Sequence, residues 1–309
     1  MLTITIRPGE GTLQQAIDSL PRDGSEALIR LSPGEYHEKL TLNRPHTILE
    51  GSGADVTRIT WQDAAADPMP GEDIRRGTFR SYTLFVDAEH VTLRGLTVEN
   101  AARPREEKGQ CIALFVDGDH FLCEDCTLDS CQDTLFTAPL PPREAQKNGF
   151  IGPTQHRPRT PQRQTYRRCV IRGDVDFIFG GAAAWFEGCD IVSVGAGYAT
   201  AASTPQGQAF GYVFKDCRFL SGGAQEASVY LGRPWREYAK TILLDCELGA
   251  HIRPEGWHDW NKPVFHSEGL YGEHGCYGPG AAGQRVPYAR ALTEEEASAC
   301  TYEAFLKSL

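Results

Sequence analysis

No stretch of this chain approaches the ~18 consecutive apolar residues that cross a bilayer, so no membrane partner is expected. The start, Met1-Leu2-Thr3-Ile4-Thr5-Ile6-Arg7, alternates like a strand and lacks the basic-then-apolar order of an export signal. A cytoplasmic location is therefore the first expectation, with secretion after loss of a signal as the alternative. Positive charge is short as well: 31 Lys and Arg stand against 41 Asp and Glu, a net charge of −10. Phosphate backbones call for a basic surface, so nucleic acid is not an expected partner. There is no Gly-x-Ser-x-Gly elbow, which disfavours a serine hydrolase of that type. No phosphate-cradling glycine loop or dinucleotide fingerprint is present either, and no cofactor is expected.

The 309 residues, 40% of them hydrophobic, suffice for a sizeable core. With 32 glycines and 19 prolines, turns are frequent and long helices are disfavoured. Five of the ten cysteines sit in near-identical settings: Asp125-Cys126-Thr127-Leu128, Arg168-Cys169-Val170-Ile171, Gly188-Cys189-Asp190-Ile191, Asp216-Cys217-Arg218-Phe219 and Asp245-Cys246-Glu247-Leu248. Each reads as a short strand with one buried face. Gly95-Leu96-Thr97-Val98 fits the same template with Leu in the Cys slot. The intervals 96 to 126, 169 to 189, 189 to 217 and 217 to 246 span 20–30 residues; 126 to 169 is the exception.

Repeats of this length built from short strands indicate a solenoid whose coils bury their apolar faces by stacking. The expected class is all-β, a right-handed parallel β-helix over a single domain, 1–309, acting as a monomer. Stacked thiols are expected to stay reduced and packed, since disulfide frameworks belong mainly to small secreted domains. Cys123-Glu124-Asp125-Cys126, with His120 and Cys131 nearby, resembles half a zinc site. Its second half is missing, so packing is preferred and no metal ligand is assigned. Short helices are expected at both ends. Thr12-Leu13-Gln14-Gln15 forms a capping box before Ala16, Ile17 and Leu20, and Thr293 with Glu296 opens a helix reaching toward Leu309.

The long interval holds an insertion over 137–165, rich in proline and carrying Arg143, Lys147, His156, Arg157, Arg159 and Arg163 against the single acid Glu144. Two readings stand: a solvated loop, or an electropositive lid over a cleft for polyanions. On either side of it lie two aspartates in apolar strand-like settings, Gln132-Asp133-Thr134-Leu135-Phe136 and Gly173-Asp174-Val175-Asp176-Phe177. An ionised carboxylate there is unfavourable unless something pairs or uses it, which suggests an acid/base or nucleophile pair. Leu231-Gly232-Arg233-Pro234-Trp235 sets a guanidinium in extended backbone beside an indole, suited to a bidentate grip on one aspartate. Asp174 reads as a solvated neighbour. Strict alternation puts Gln132 and Asp133 on opposite faces, so both line one site only if the backbone bends between them.

Gly34 to Glu38, Gln110 to Leu114, Gln132 to Leu135, Gly173 to Gly180 and Leu231 to Trp235 together resemble the motif series of the pectin methylesterases (pectinesterases), in the family order. Glu255-Gly256-Trp257 and Gly278 to Gly283 resemble the family's later regions, so the likeness covers nearly the whole chain. It implies a right-handed parallel β-helix that hydrolyses galacturonate C6 methyl esters of homogalacturonan or its oligosaccharides. It further implies Asp176 as nucleophile, Asp133 as acid then base, Gln110 and Gln132 as oxyanion donors, and Arg233 as the partner of Asp176. Trp235 is implied as a sugar contact, with Phe136, Val175 and Phe179 lining the same groove. The 43-residue separation of Asp133 and Asp176 is about twice what the family leads one to expect, and the insertion accounts for the excess. Alternatives are a β-helix galacturonan glycosidase or lyase, or a carbohydrate-binding β-helix. Lyases usually need a calcium-binding acid cluster, which the sequence lacks, and a binder has no use for this catalytic set.

Overall fold

The cysteine repeat becomes one corner of a coil. In the computed structural model, which describes residues 1–9 and 12–309, the residue ahead of each cysteine turns the chain with a positive φ. The values are 53° at Asp125, 50° at Arg168, 61° at Gly188, 52° at Asp216 and 53° at Asp245. Non-glycine residues adopt this conformation uncommonly, and here the stack of coils holds them in it. The residues after the cysteines pair in register as Thr127↔Val170, Val170↔Asp190, Asp190↔Arg218 and Arg218↔Glu247. Leu96 occupies the same slot one coil earlier, after Gly95 at φ 60° and before the Thr97↔Thr127 pair. All five corner cysteines are buried, and all ten in the chain are free thiols.

The strands stack in parallel into three faces. The first is an eleven-stranded sheet running from Leu2–Ile6 to Ala289–Ala291. The second stacks Gly34–His37, Thr57–Trp61, Thr97–Asn100 and Thr127–Asp129 onto the opening part of Val170–Gly180. The third stacks Leu40–Leu42, Leu84–Val86, Leu114–Val116 and Leu135–Thr137 onto the closing part of that same strand. Val170–Gly180 and Asp190–Ala202 thus bend from the second face to the third, and the molecule is a right-handed parallel β-helix. Its interior is filled by ladders of like residues. Leu84, Leu114, Leu135 and Ile178 align on the third face. Tyr166, Phe186 and Phe214 stack with centroids 4.8 and 4.4 Å apart, close to the ~4.8 Å spacing of strands.

Both termini carry short helices as the sequence suggests, with one difference. Helix Leu13–Ser19 is capped by the Thr12 side chain accepting from the Gln15 N–H, and buries Leu13, Ile17 and Leu20 in the main core. At the other end the Thr293–Glu296 capping box is complete, but two short helices follow where one is expected. Glu294–Ala299 ends at Cys300, and Thr301 caps a new start for Tyr302–Leu306, whose Tyr302 and Phe305 pack on Trp185. The insertion leaves the coil over 138–162; Thr137 still belongs to its strand and Arg163 already opens the next. Among the described residues no helix is long and apolar enough to cross a membrane.

Candidate active site

Both candidate aspartates sit where the chain bends from the second face to the third. Asp133 has φ 63° and Asp176 φ 50°. The ladder around Asp176 is irregular, with register shifts on both sides of Val175. This bend is the departure from alternation that the sequence requires if Gln132 and Asp133 are to share a site. Register also decides their proximity. Thr127↔Val170 and Leu135↔Ile178 bracket the bend at the same 43-residue offset that separates the two aspartates, so they occupy matching positions on neighbouring coils. Gln110 and Gln132 bridge in parallel one coil apart, which stacks their amides beside the carboxylates.

Arg233 follows strand Val229–Gly232 and ties its own backbone N–H to Thr200 O at 3.0 Å. Gly232 makes this approach feasible: a Cβ there would lie 2.1 Å from Thr200 Oγ1. The guanidinium grips Asp176 with both ends of its fork, Nε to Oδ1 at 2.8 Å and Nη2 to Oδ2 at 2.6 Å. It also lies between two aromatic faces, 4.0 Å from the Tyr198 ring centre and 3.7 Å from that of Trp260. These faces replace part of the water that a buried cation loses and fix the plane of the fork.

The two carboxylates are pushed apart electrostatically. Burial drives Asp133 well above the usual carboxylate range, and the Asp176 charge adds to it; Arg233 and a hydrogen bond from Gln132 oppose the shift without reversing it. Burial raises Asp176 as well, and the direct grip of Arg233 and the charge of Lys262 reduce that rise without reversing it. Asp133 therefore holds its proton more tightly than Asp176. Lys262 is itself lowered to about 8, first by burial and then by the neighbouring Arg236 and Arg233.

A cleft of about 270 Å³ gathers Gln110, Gln132, Asp133, Asp176, Arg233 and Trp235 on one lining. Phe179 lines it too. Phe136 does not: it is fully buried, 4.9 Å from Phe179 and 6.5 Å from Trp235, and supports both from below. Val175 also lies off the lining and contributes its carbonyl, which accepts from the Asp133 N–H at 3.1 Å. Asp174 is not solvated as its sequence setting suggests. It is buried, paired with Arg105 at 3.1 Å, and accepts from the Val175 N–H. His120 stacks on His90, away from Cys123 and Cys126 in the core; among the described residues no three metal-ligating side chains gather.

The sequence reading misses Tyr198, Trp260, Lys262, Phe79 and Phe150. One signal was available for two of them: Trp260 and Lys262 closely follow Glu255-Gly256-Trp257. Arg157 and Arg159, part of the basic cluster that reads as a solvated loop or an electropositive lid, both have partners within the protein. Arg157 pairs with Asp87 and Asp117, and Arg159 donates to carbonyls of its own loop at Thr154, Gln155 and Arg157. Those contacts brace the insertion.

The pectinesterase family profile matches residues 8–142 and 159–308. Pectinesterase 31 of Arabidopsis thaliana is 31% identical over 303 residues, covering 96% of this chain and 88% of its own. The structure of pectin methylesterase from carrot superposes with a TM-score of 0.80 at 27% identity, over 99% of this chain and 93% of that one. A pectin methylesterase solved in complex with a hexasaccharide gives 0.79 at 26% identity, over 96% and 93%. This chain belongs to the pectinesterase family, carboxylic ester hydrolases that act on the methyl esters of pectin.

Proposed function

We propose that the chain hydrolyses galacturonate C6 methyl esters through an acyl-enzyme on Asp176. An Asp176 carboxylate oxygen attacks the ester carbonyl carbon, and charge develops on the carbonyl oxygen. Gln110 and Gln132 donate to that oxyanion from adjacent coils; one such donor is worth ~3 kcal/mol. An amide NH2 carries two donors, so Gln132 serves the oxyanion while still bonded to Asp133. The tetrahedral adduct collapses as Asp133 passes its proton to the methoxide, and methanol leaves. Asp133, now ionised, takes a proton from water; the hydroxide attacks the acyl carbon and Asp176 departs as carboxylate. Both aspartates return to their starting states, and the product acid releases its proton to solvent.

The observation that carries this scheme is the asymmetry of the pair: one carboxylate held through both oxygens by Arg233, the other buried, with burial driving its pKa well above the usual carboxylate range. Trp235 would meet the sugar, with Phe179 beside it. The substrate class is methylated homogalacturonan or its oligosaccharides, a reading supported by the relative solved with a hexasaccharide. Such a polymer is met outside the cytoplasm, so family membership favours the secreted alternative. The free thiols do not oppose it, since eight of the ten are buried and inert. With one end of the stack closed by its helix, the enzyme is read as a monomer. The decisive assay is methanol release from methylated galacturonan, with Asp176→Asn as control. Absence of methanol from wild type on polymers and oligomers sinks the reading, and unsaturated or shortened sugars transfer it to a lyase or glycosidase.

A further inference from the structure

Residues 143–158 form the internal stretch that the family profile leaves unmatched, and they reach into the cleft. Ala145, Gln146, Gly149 and Phe150 line it on the side of Trp235. This segment is built as a fixed wall. The Phe150 ring meets Phe79 at 5.9 Å and Trp235 at 6.0 Å, edge-on to both. Gly152 seats directly on Phe79: a Cβ there would lie 2.7 Å from the Phe79 Cβ. Phe79 belongs to a second excursion, 62–83, pinned by the Asn100 amide, which donates to Asp63 O at 2.9 Å and Ser81 O at 2.7 Å. The Arg157 and Arg159 contacts hold the outer flank.

Beneath these two excursions runs a ladder of outward-facing rings on the third face. Phe85, Phe115, Phe136 and Phe179 pair in register from coil to coil. Phe179 reaches the cleft, but Phe85, Phe115 and Phe136 are sealed under Phe79 and Tyr82, each at most 2% exposed. A saccharide running along the coils from the carboxylates toward the N-terminal end therefore meets packed rings instead of open surface. The cleft itself encloses about 270 Å³.

We propose that the 143–158 segment, locked on the 62–83 excursion, closes the cleft on its N-terminal side. The enzyme then selects short methylated oligogalacturonides and chain ends over interior units of a long polymer. This rests on the esterase reading above. The test compares kcat/KM per ester for methylated galacturonide trimers to hexamers and for highly methylated long polygalacturonate. Wild type is expected to favour oligomers by about tenfold or more, the scale at which steric pocket discrimination operates. Gln146→Ala and Phe150→Ala should narrow the gap by raising the polymer rate. Equal wild-type rates per ester, or an unchanged ratio in folded variants, overturn the proposal. Should Phe150→Ala fail to fold, wild type still decides through the first ester removed from a methylated hexamer, read by mass spectrometry. A terminal unit supports the closed end, and an interior unit refutes it. No methanol from either substrate refutes the esterase reading itself, a separate result.

Discussion

Replacing Arg233 by glutamine removes the cation that holds Asp176 through both oxygens. The wild-type pair makes two short charge-assisted bonds, at 2.8 and 2.6 Å, between side chains only 15% and 10% exposed. Breaking a buried, hydrogen-bonded pair by removing one partner costs about 3–5 kcal/mol, because the remaining charge is left unpaired. Asp176 has an escape that limits the loss: it takes up a proton. Burial already pushes its pKa up, and Arg233 is the strongest influence opposing that push. Without it the folded-state pKa rises, and the ionised nucleophile forms only at higher pH. Two effects should therefore appear together. The limiting kcat falls by roughly a hundredfold, the scale on which a misplaced reacting group costs rate, because the carboxylate is no longer held in one orientation. The acid limb of the kcat/KM profile also moves to higher pH, since attack requires the ionised form. The assay is methanol release across pH 4 to 9. Arg233→Lys separates the contributions: it keeps a charge, and so much of the acid limb, but loses the fork and the flat stack between Tyr198 and Trp260. If Arg233→Gln leaves both kcat and the acid limb in place, Asp176 is not the ionised nucleophile and the scheme fails.

Three further outcomes follow from the same site. Asp133→Asn should abolish turnover yet raise stability relative to wild type as the solution becomes less acidic. The folded-state pKa of Asp133 is raised, so its stabilising contribution is full below the unfolded value of ~3.9 and is lost as pH rises toward the folded pKa. Urea midpoints from pH 4 to 8 read that trend, and a difference independent of pH contradicts it. Gln110→Ala should lower kcat by about a hundredfold with little change in KM, as loss of an oxyanion donor does; a change confined to KM would assign Gln110 to ground-state binding. Lys262→Met should shift the acid limb upward by less than Arg233→Gln, because Lys262 ranks behind Arg233 in lowering Asp176. An unmoved acid limb would mean its charge does not reach the nucleophile.

Much of the fold was legible because a coil repeats its chemistry. The Asp-Cys-polar-apolar corners at 125, 216 and 245 showed where each coil turns, and stacking converted that pattern into register. The carboxylates and Arg233 were legible for a different reason: charge in an apolar strand setting demands a partner. What stayed hidden depends on contacts between distant coils, which periodicity does not report. Asp174 looks solvated until Arg105, 69 residues earlier, is folded against it. Arg157 looks like free charge until the turns carrying Asp87 and Asp117 stack beside it. The family resemblance implies Phe136 as a groove residue, and nothing in the local sequence shows that Phe79, from an excursion, packs on it.

The widened interval between Asp133 and Asp176 bears on how such a fold changes its selectivity. The pairs Phe121↔Gln164, Thr127↔Val170 and Leu135↔Ile178 cover all three faces, and all keep the same offset of 43 residues. The added length therefore leaves the coil at one corner and returns without shifting any ladder. Each coil of a solenoid packs only on its neighbours, so an insertion at a corner is absorbed outward and strains no second layer. The carboxylates remain one strand spacing apart however long the corner grows. What the insertion does alter is the space above them, by carrying Gln146 and Phe150 to the edge of the cleft. Chemistry in this protein thus resides in register, which the insertion cannot touch, and access resides in the corner, which it rebuilds. That separation is why residues 143–158 can lie outside the family profile while Gln110, Gln132, Asp133, Asp176 and Arg233 still share one cleft.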